Sequence, residues 1–148
     1  MKRRVYLLML LLLAAITVLA SPVKPVSAQS ETIYVIANLN VPDSALSKSE
    51  LQNVYLGKKD KWSDNQKINF TELNSGPCHE AFLQQHVGRT DFQFQNYWKK
   101  QIFTGQGQPP RGFDAEADLI DYVSKTSGAI GYSCTKPDSA KVKILTIN

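Results

Sequence analysis

Two cysteines and two histidines carry the most reactive side chains of this 148-residue chain, and three of the four fall in SGPCHEAFLQQH, residues 75 to 86. Cys78 and His79 are adjacent, His86 follows, and Cys134 lies far downstream. A cysteine at a helix start could be a nucleophile with a lowered pKa. Neighbours on a helix point about 100° apart, however, so His79 is poorly placed as its base. Seven helical residues separate His79 from His86 by about 10.5 Å, too far to share one ion. Cys78 with His79 offers two ligands, short of the three or four of a zinc site. Two other chemistries remain. Ser75, Gly76, Cys78 and His79 sit where free backbone amides and the positive end of a helix dipole favour an anion, although every helix start has such amides. Alternatively, Cys78 pairs with Cys134.

The start of the chain bears on that choice. MKRRVYLLMLLLLAAITVLA joins Lys2, Arg3 and Arg4 to an apolar run from Val5 to Ala20, followed by SPVKPVSAQ. This pattern is that of a secretory signal peptide cut after Ala28, with Val26-Ser27-Ala28 supplying small residues at the cleavage site. The competing reading is an uncleaved anchor, for which the run is short against the roughly 17 to 25 residues that span a bilayer. The expected organisation is a signal peptide over 1–28 and one domain over 29–148, periplasmic or secreted, with no membrane span in the mature chain. Removing residues 1–28 takes away Lys2, Arg3, Arg4 and Lys24, so 13 of the 17 basic residues remain against 13 acidic ones. A neutral mature chain argues against nucleic acid as a partner. Two cysteines in an exported chain favour a Cys78–Cys134 disulfide. Closing a loop of that length contributes on the order of 4 kcal/mol by the chain-entropy model.

Several elements must position these residues. TIYVIANL (32–39) and KINFTEL (67–73) read as strands. Ser47 and Glu50 form a capping box opening a helix whose Leu51, Val54 and Tyr55 share a face, and Gly57 stops it. Pro77 suits the first position of a helix running to about Val87. Thr90 or Asp91 caps a longer helix in which Phe94, Tyr97, Trp98 and Ile102 recur at core spacing, ended by Gly105. TGQGQPPRGF reads as a loop, and Asp114 starts a fourth helix with Leu119, Ile120 and Val123 inward. Here Glu116 and Asp118 stand near the positive end of the dipole. GAIGYS (128–133) and KVKILTI (141–147) read as strands. Interspersed strands and helices predict an α/β domain with a central mixed sheet flanked by helices.

Taken in order, LSKSELQNVYLGKKDKWSD, SGPCHEAF, YWKKQIFTGQGQPPR and SGAIGY resemble the periplasmic phosphate-binding proteins of ABC importers, over roughly residues 33 to 132. The resemblance extends to small single-domain phosphate-binding-like relatives. It implies the type 2 solute-binding fold, here with material for one lobe where the full proteins trap ligand between two. The family's phosphate loop has an arginine followed shortly by Gly-Ser-Gly-Thr. The matching positions here are Ser75, Gly76, Pro77 and Cys78, with Glu72 and Leu73 near the arginine position. Proline donates no amide and a carboxylate repels an anion.

The reading that follows is an exported, non-enzymatic binding protein that recognises a small, phosphate-like anion weakly at a helix N-terminus, alongside an ABC permease. Its expected ligand-binding residues are Ser75, Gly76, Cys78 and His79, with Thr104 and Arg111 lining the same cleft. Arg111 would supply the cation. No cofactor and no metal is expected. The alternative is a ligand-free interaction or regulatory module on the same scaffold, docking on an envelope or sensor protein.

Overall fold

A computed structural model describes residues 32–148; the expected signal peptide over 1–28 lies outside the described residues. Branched and aromatic residues in 34–37 and 129–133 place two strands at the centre of a six-stranded sheet. β1 (Tyr34–Ala37) runs antiparallel to β5 (Ala129–Ser133), pairing Tyr34 with Ser133 and Ala37 with Ile130. On its other side β1 pairs antiparallel with β6 (Lys143–Ile147), which is edged in parallel by the two-residue β2 (Ala45–Leu46). Beyond β5 come β3 (Asn69–Leu73) and the short β4 (Arg111–Phe113), parallel to one another, and β3 is parallel to β5. The order is β2-β6-β1-β5-β3-β4.

The expected capping box is present: Ser47 accepts from the Glu50 amide and Glu50 reaches back to the Ser47 amide, opening α1 (Lys48–Tyr55). Glu50 is held well below the usual carboxylate range, at about 2, chiefly by its hydrogen bond with Lys59. Gly57 follows α1 at φ 68°, and a Cβ there would meet the Trp98 ring at 2.8 Å, so glycine is required twice over. α2 (Pro77–Phe82) starts on Pro77 as expected, but the helix does not continue regularly to Val87. It loosens into a π-helical turn at Leu83–Val87 that ends on left-handed Gly88. Thr90 caps α3 (Asp91–Phe103) through a second capping box, with Gln93. α4 (Glu116–Lys125) begins two residues later than the expected Asp114.

Tyr55, Phe82 and Tyr132 form an aromatic cluster on the face of the sheet covered by α1 and α2, Phe82 stacked over Tyr132 at 3.8 Å and Tyr55 edge-on to Phe82. On the opposite face α4 presses against β5. A Cβ at Gly131 would meet Leu119 at 2.6 Å, so the helix needs that glycine to approach. Three expectations are corrected. Ile102, expected inward with Phe94 and Trp98, is 53% exposed, because the stripe has rotated off the core by the last turn of α3. Arg111–Phe113, expected as loop, is a strand. Ile120 and Tyr97 are only half-buried, and Tyr97 keeps its hydroxyl on the Leu56 carbonyl at 2.7 Å.

Candidate functional site

The carboxyl ends of β3, β4 and β5 lie at one end of the sheet, where α2 and α4 begin. Gly76 is the N-cap of α2 at φ 104°, a backbone only glycine adopts comfortably, and no side chain caps the first turn. Cys78 and Cys134 form a disulfide with Cα atoms 5.8 Å apart. The bond ties the start of α2 to the residue that follows β5. The sulfurs and the Glu116 carboxylate lie within 4.8 Å of one another. With both sulfurs consumed by the disulfide, that trio offers no thiolate for a metal.

Glu116, the first residue of α4, occupies the space beside this joint. Its Oε2 accepts from the Ser133 hydroxyl at 2.6 Å and from the backbone amides of Cys134 and Thr135, each at 3.2 Å. A carboxylate of the chain itself thus takes up two backbone amides close to the start of α2. The concavity here, about 390 Å³, is lined by Thr32, Pro77, Cys78, Glu116, Cys134 and Thr135. Sequence reasoning placed Glu116 near a helix dipole and missed this role, which depends on how β5 and α4 meet.

His79 turns away from that concavity and is 2% exposed. The Tyr132 hydroxyl accepts from the Leu73 amide at 2.9 Å and lies 2.8 Å from His79 Nδ1. Its single proton therefore goes to Nδ1, which leaves the ring proton on Nε2, facing Asp91 Oδ1 at 3.1 Å. The Asp91 carboxylate is further held by Gln95 Nε2 at 3.0 Å. Asp91, His79 and Tyr132 form a proton relay in outline, yet Tyr132 is 0% exposed, so no substrate atom reaches it. The expectation that His79 contacts a ligand runs against this geometry: both ring nitrogens are already engaged.

The same region is rich in acid. Burial, and then the charge of Asp91, pushes the Glu72 carboxyl up to about 8. Burial drives the Tyr132 phenol far above its ordinary value, a rise that the Leu73 amide opposes, with Glu72, Asp91 and Glu116 adding to it. Glu72, Asp91 and Glu116 thus all act on this phenol through their charge, without touching it. Thr104 and Arg111 are not brought to them. Thr104 ends α3 with its hydroxyl on the Lys100 carbonyl at 2.9 Å. Arg111 pairs with Thr71 in the sheet, stacks over Tyr122 at 4.7 Å, and lines a separate cavity.

This architecture is shared with the phosphate-binding components of ABC transporters. The chain is structurally similar to a Clostridium perfringens protein described as a phosphate ABC transporter substrate-binding protein, with phosphate bound (18% identity, TM-score 0.61, covering 78% of this chain and 44% of that one). It is also similar to an ABC-type phosphate transport receptor from Vibrio cholerae (14%, 0.57, 78% and 45%) and to PstS from Borrelia burgdorferi (18%, 0.57, 78% and 47%). The chain spans less than half the length of each. No protein-family model and no curated protein matches it.

Proposed function

We propose that this chain is an exported, non-enzymatic binding protein that takes a small, phosphate-like anion weakly at the start of α2 and works with an ABC permease in the periplasm or outside the cell. The observation that carries the proposal is the first turn of α2: at the carboxyl end of β3, on a fold shared with phosphate binders, it has no side-chain cap. Its amides are oriented for an anion. Glu72 does not oppose this strongly at neutral pH, because a carboxyl pushed up to about 8 is mostly protonated and uncharged. Weakness follows from Pro77, which has no amide proton, from Glu116 at the same concavity, and from an open site. The dissociation constant should lie nearer millimolar than micromolar, about −4 rather than −8 kcal/mol. Among the described residues no helix is long and apolar enough to cross a membrane.

A second reading rests on Glu116: with its carboxylate on the Cys134 and Thr135 amides, the scaffold is an interaction module that docks on an envelope or sensor protein without small ligand. Amide-shift titration by NMR with phosphate, sulfate and chloride separates the two. The sample is exported protein whose intact mass is expected to show a chain starting at Gln29. Saturating shifts centred on Ser75 to His79 support the anion reading. Saturating phosphate with no response there leaves the interaction module.

A further inference from the structure

We infer that the molecule has a second ligand site, independent of the α2 start, for a small organic anion. It is the cavity of about 400 Å³ at the amino ends of β3 and β4, walled by Lys59, Lys67, Phe70, Gly57, Gly107 and Arg111. None of Ser75, Gly76, Cys78, His79 and Thr104 lines it. The volume falls in the range that houses small organic ligands and is generous for a bare ion.

Its charge is set by its neighbours. Lys59 is paired with Glu50 at 2.7 Å. Lys67 and Arg111 have no carboxylate at ion-pair distance among the described residues. Against these two cations the lining places one acid, Asp60, so the surplus is about one positive charge. Arg111 is oriented rather than free: β4 holds its backbone opposite Thr71, and its guanidinium lies 4.7 Å from the Tyr122 centroid and 5.7 Å from that of Phe113. Stacking uses the face of the guanidinium and leaves its edge N–H groups, the fork that grips a carboxylate or phosphate with two hydrogen bonds.

The walls are also built. Gly57, after α1, and Gly107, after α3, both rest on the Trp98 ring, where a Cβ would come within 2.8 Å and 3.2 Å. One indole thus sets the positions of two loop segments that border the cavity, and Phe70, 5.7 Å from the same indole, supplies an apolar wall. An anionic head at Arg111 and Lys67 with a ring or chain against Phe70 satisfies this lining. A neutral ligand leaves the surplus charge unanswered.

The test uses the full chain and three probes, phenyl phosphate, benzoate and neutral benzamide, followed by amide shifts, with inorganic phosphate as a fourth arm. Phenyl phosphate and benzoate should give saturable shifts at Lys67 to Phe70, Gln106 to Gln108 and Arg111, and benzamide none. Arg111→Gln should weaken phenyl phosphate binding about tenfold or more, the effect of losing charge-assisted hydrogen bonds; Arg111→Lys should fall between. If Arg111→Gln perturbs shifts across the sheet, Lys67→Gln, outside every strand, replaces it and should also weaken binding. Inorganic phosphate should shift these residues less than phenyl phosphate does. The inference is overturned if benzamide matches benzoate, if both variants bind as the wild type, if inorganic phosphate shifts these residues as strongly as phenyl phosphate, or if the organic probes shift only Ser75 to His79 or nothing up to about 20 mM, well beyond a millimolar dissociation constant.

Discussion

Replacing Glu72 by glutamine should stabilise the protein at alkaline pH and leave it nearly unchanged at acid pH. In the folded chain the Glu72 carboxyl titrates at about 8, against 4.5 for an ordinary glutamate, first because it is buried and second because Asp91 is close. A raised carboxyl pKa costs nothing below about pH 4.5, where folded and unfolded chains both hold the proton. Between 4.5 and 8 the unfolded chain ionises while the folded one keeps its proton, so stability falls as pH rises; above 8 the loss is complete. Each pH unit is worth about 1.4 kcal/mol, which sets an upper bound of about 5 kcal/mol. Glu72 is half-buried rather than sealed, and screening reduces the expected loss to about 2 kcal/mol. Guanidinium unfolding at pH 4.5 and pH 9, wild type beside Glu72→Gln, measures it. The His86 imidazole, lowered by burial and by Lys48, gives the opposite slope as pH passes through its range, but it is common to both proteins and cancels in the difference. Equal pH slopes for the two would refute the account, since they would mean that Glu72 ionises in the folded chain as freely as in the unfolded one.

Cys134→Ser should lower stability by about 4 kcal/mol, the loop-closure value for cysteines 56 residues apart, with thiol titration of denatured, unreduced wild type finding no free thiol. Two reactive thiols per chain would show that the bridge does not form. Tyr132→Phe removes the donor to His79 Nδ1 and the acceptor for the Leu73 amide, both buried, and should cost about 2 to 4 kcal/mol by denaturant unfolding. A loss under 1 kcal/mol would mean that water replaces the hydroxyl.

What could be read in advance was whatever a few neighbouring residues decide. Ser47 with Glu50, Pro77 at a helix start and Gly57 at a helix end carry their geometry in local sequence, and all are found as expected. The pairing of Cys78 with Cys134 needed only compartment and count. β4 was hidden because its three residues sit in a stretch of glycine and proline and become a strand only when β3 offers a parallel edge. The placing of His79 was hidden for a related reason. A histidine at a helix start looks available until Tyr132, 53 residues downstream, and Asp91 close around it. Arg111 was grouped with Ser75 to His79 because the resemblance left that site in want of a cation; pairing with Thr71 in the sheet ties it elsewhere.

The balanced charge of residues 29–148 says nothing about where the charges are, and here their separation decides what each end can hold. Around Tyr132 stand Glu72, Asp91 and Glu116, whereas the cavity at the other end of β3 holds Lys59, Lys67 and Arg111 against Asp60. An anion at the α2 start depends on backbone amides alone and must tolerate Glu116 nearby. At the opposite end it meets Lys67 and Arg111, which have no carboxylate at ion-pair distance among the described residues. The two sites should therefore respond differently to pH. Ionisation of Glu72 near pH 8 adds a negative charge at the α2 end and should weaken binding there, an effect that the cavity at the opposite end of β3, which Glu72 does not line, should not share. Selectivity should differ too, since amides at a helix start suit a compact oxyanion whereas the walled cavity has room for an organic body.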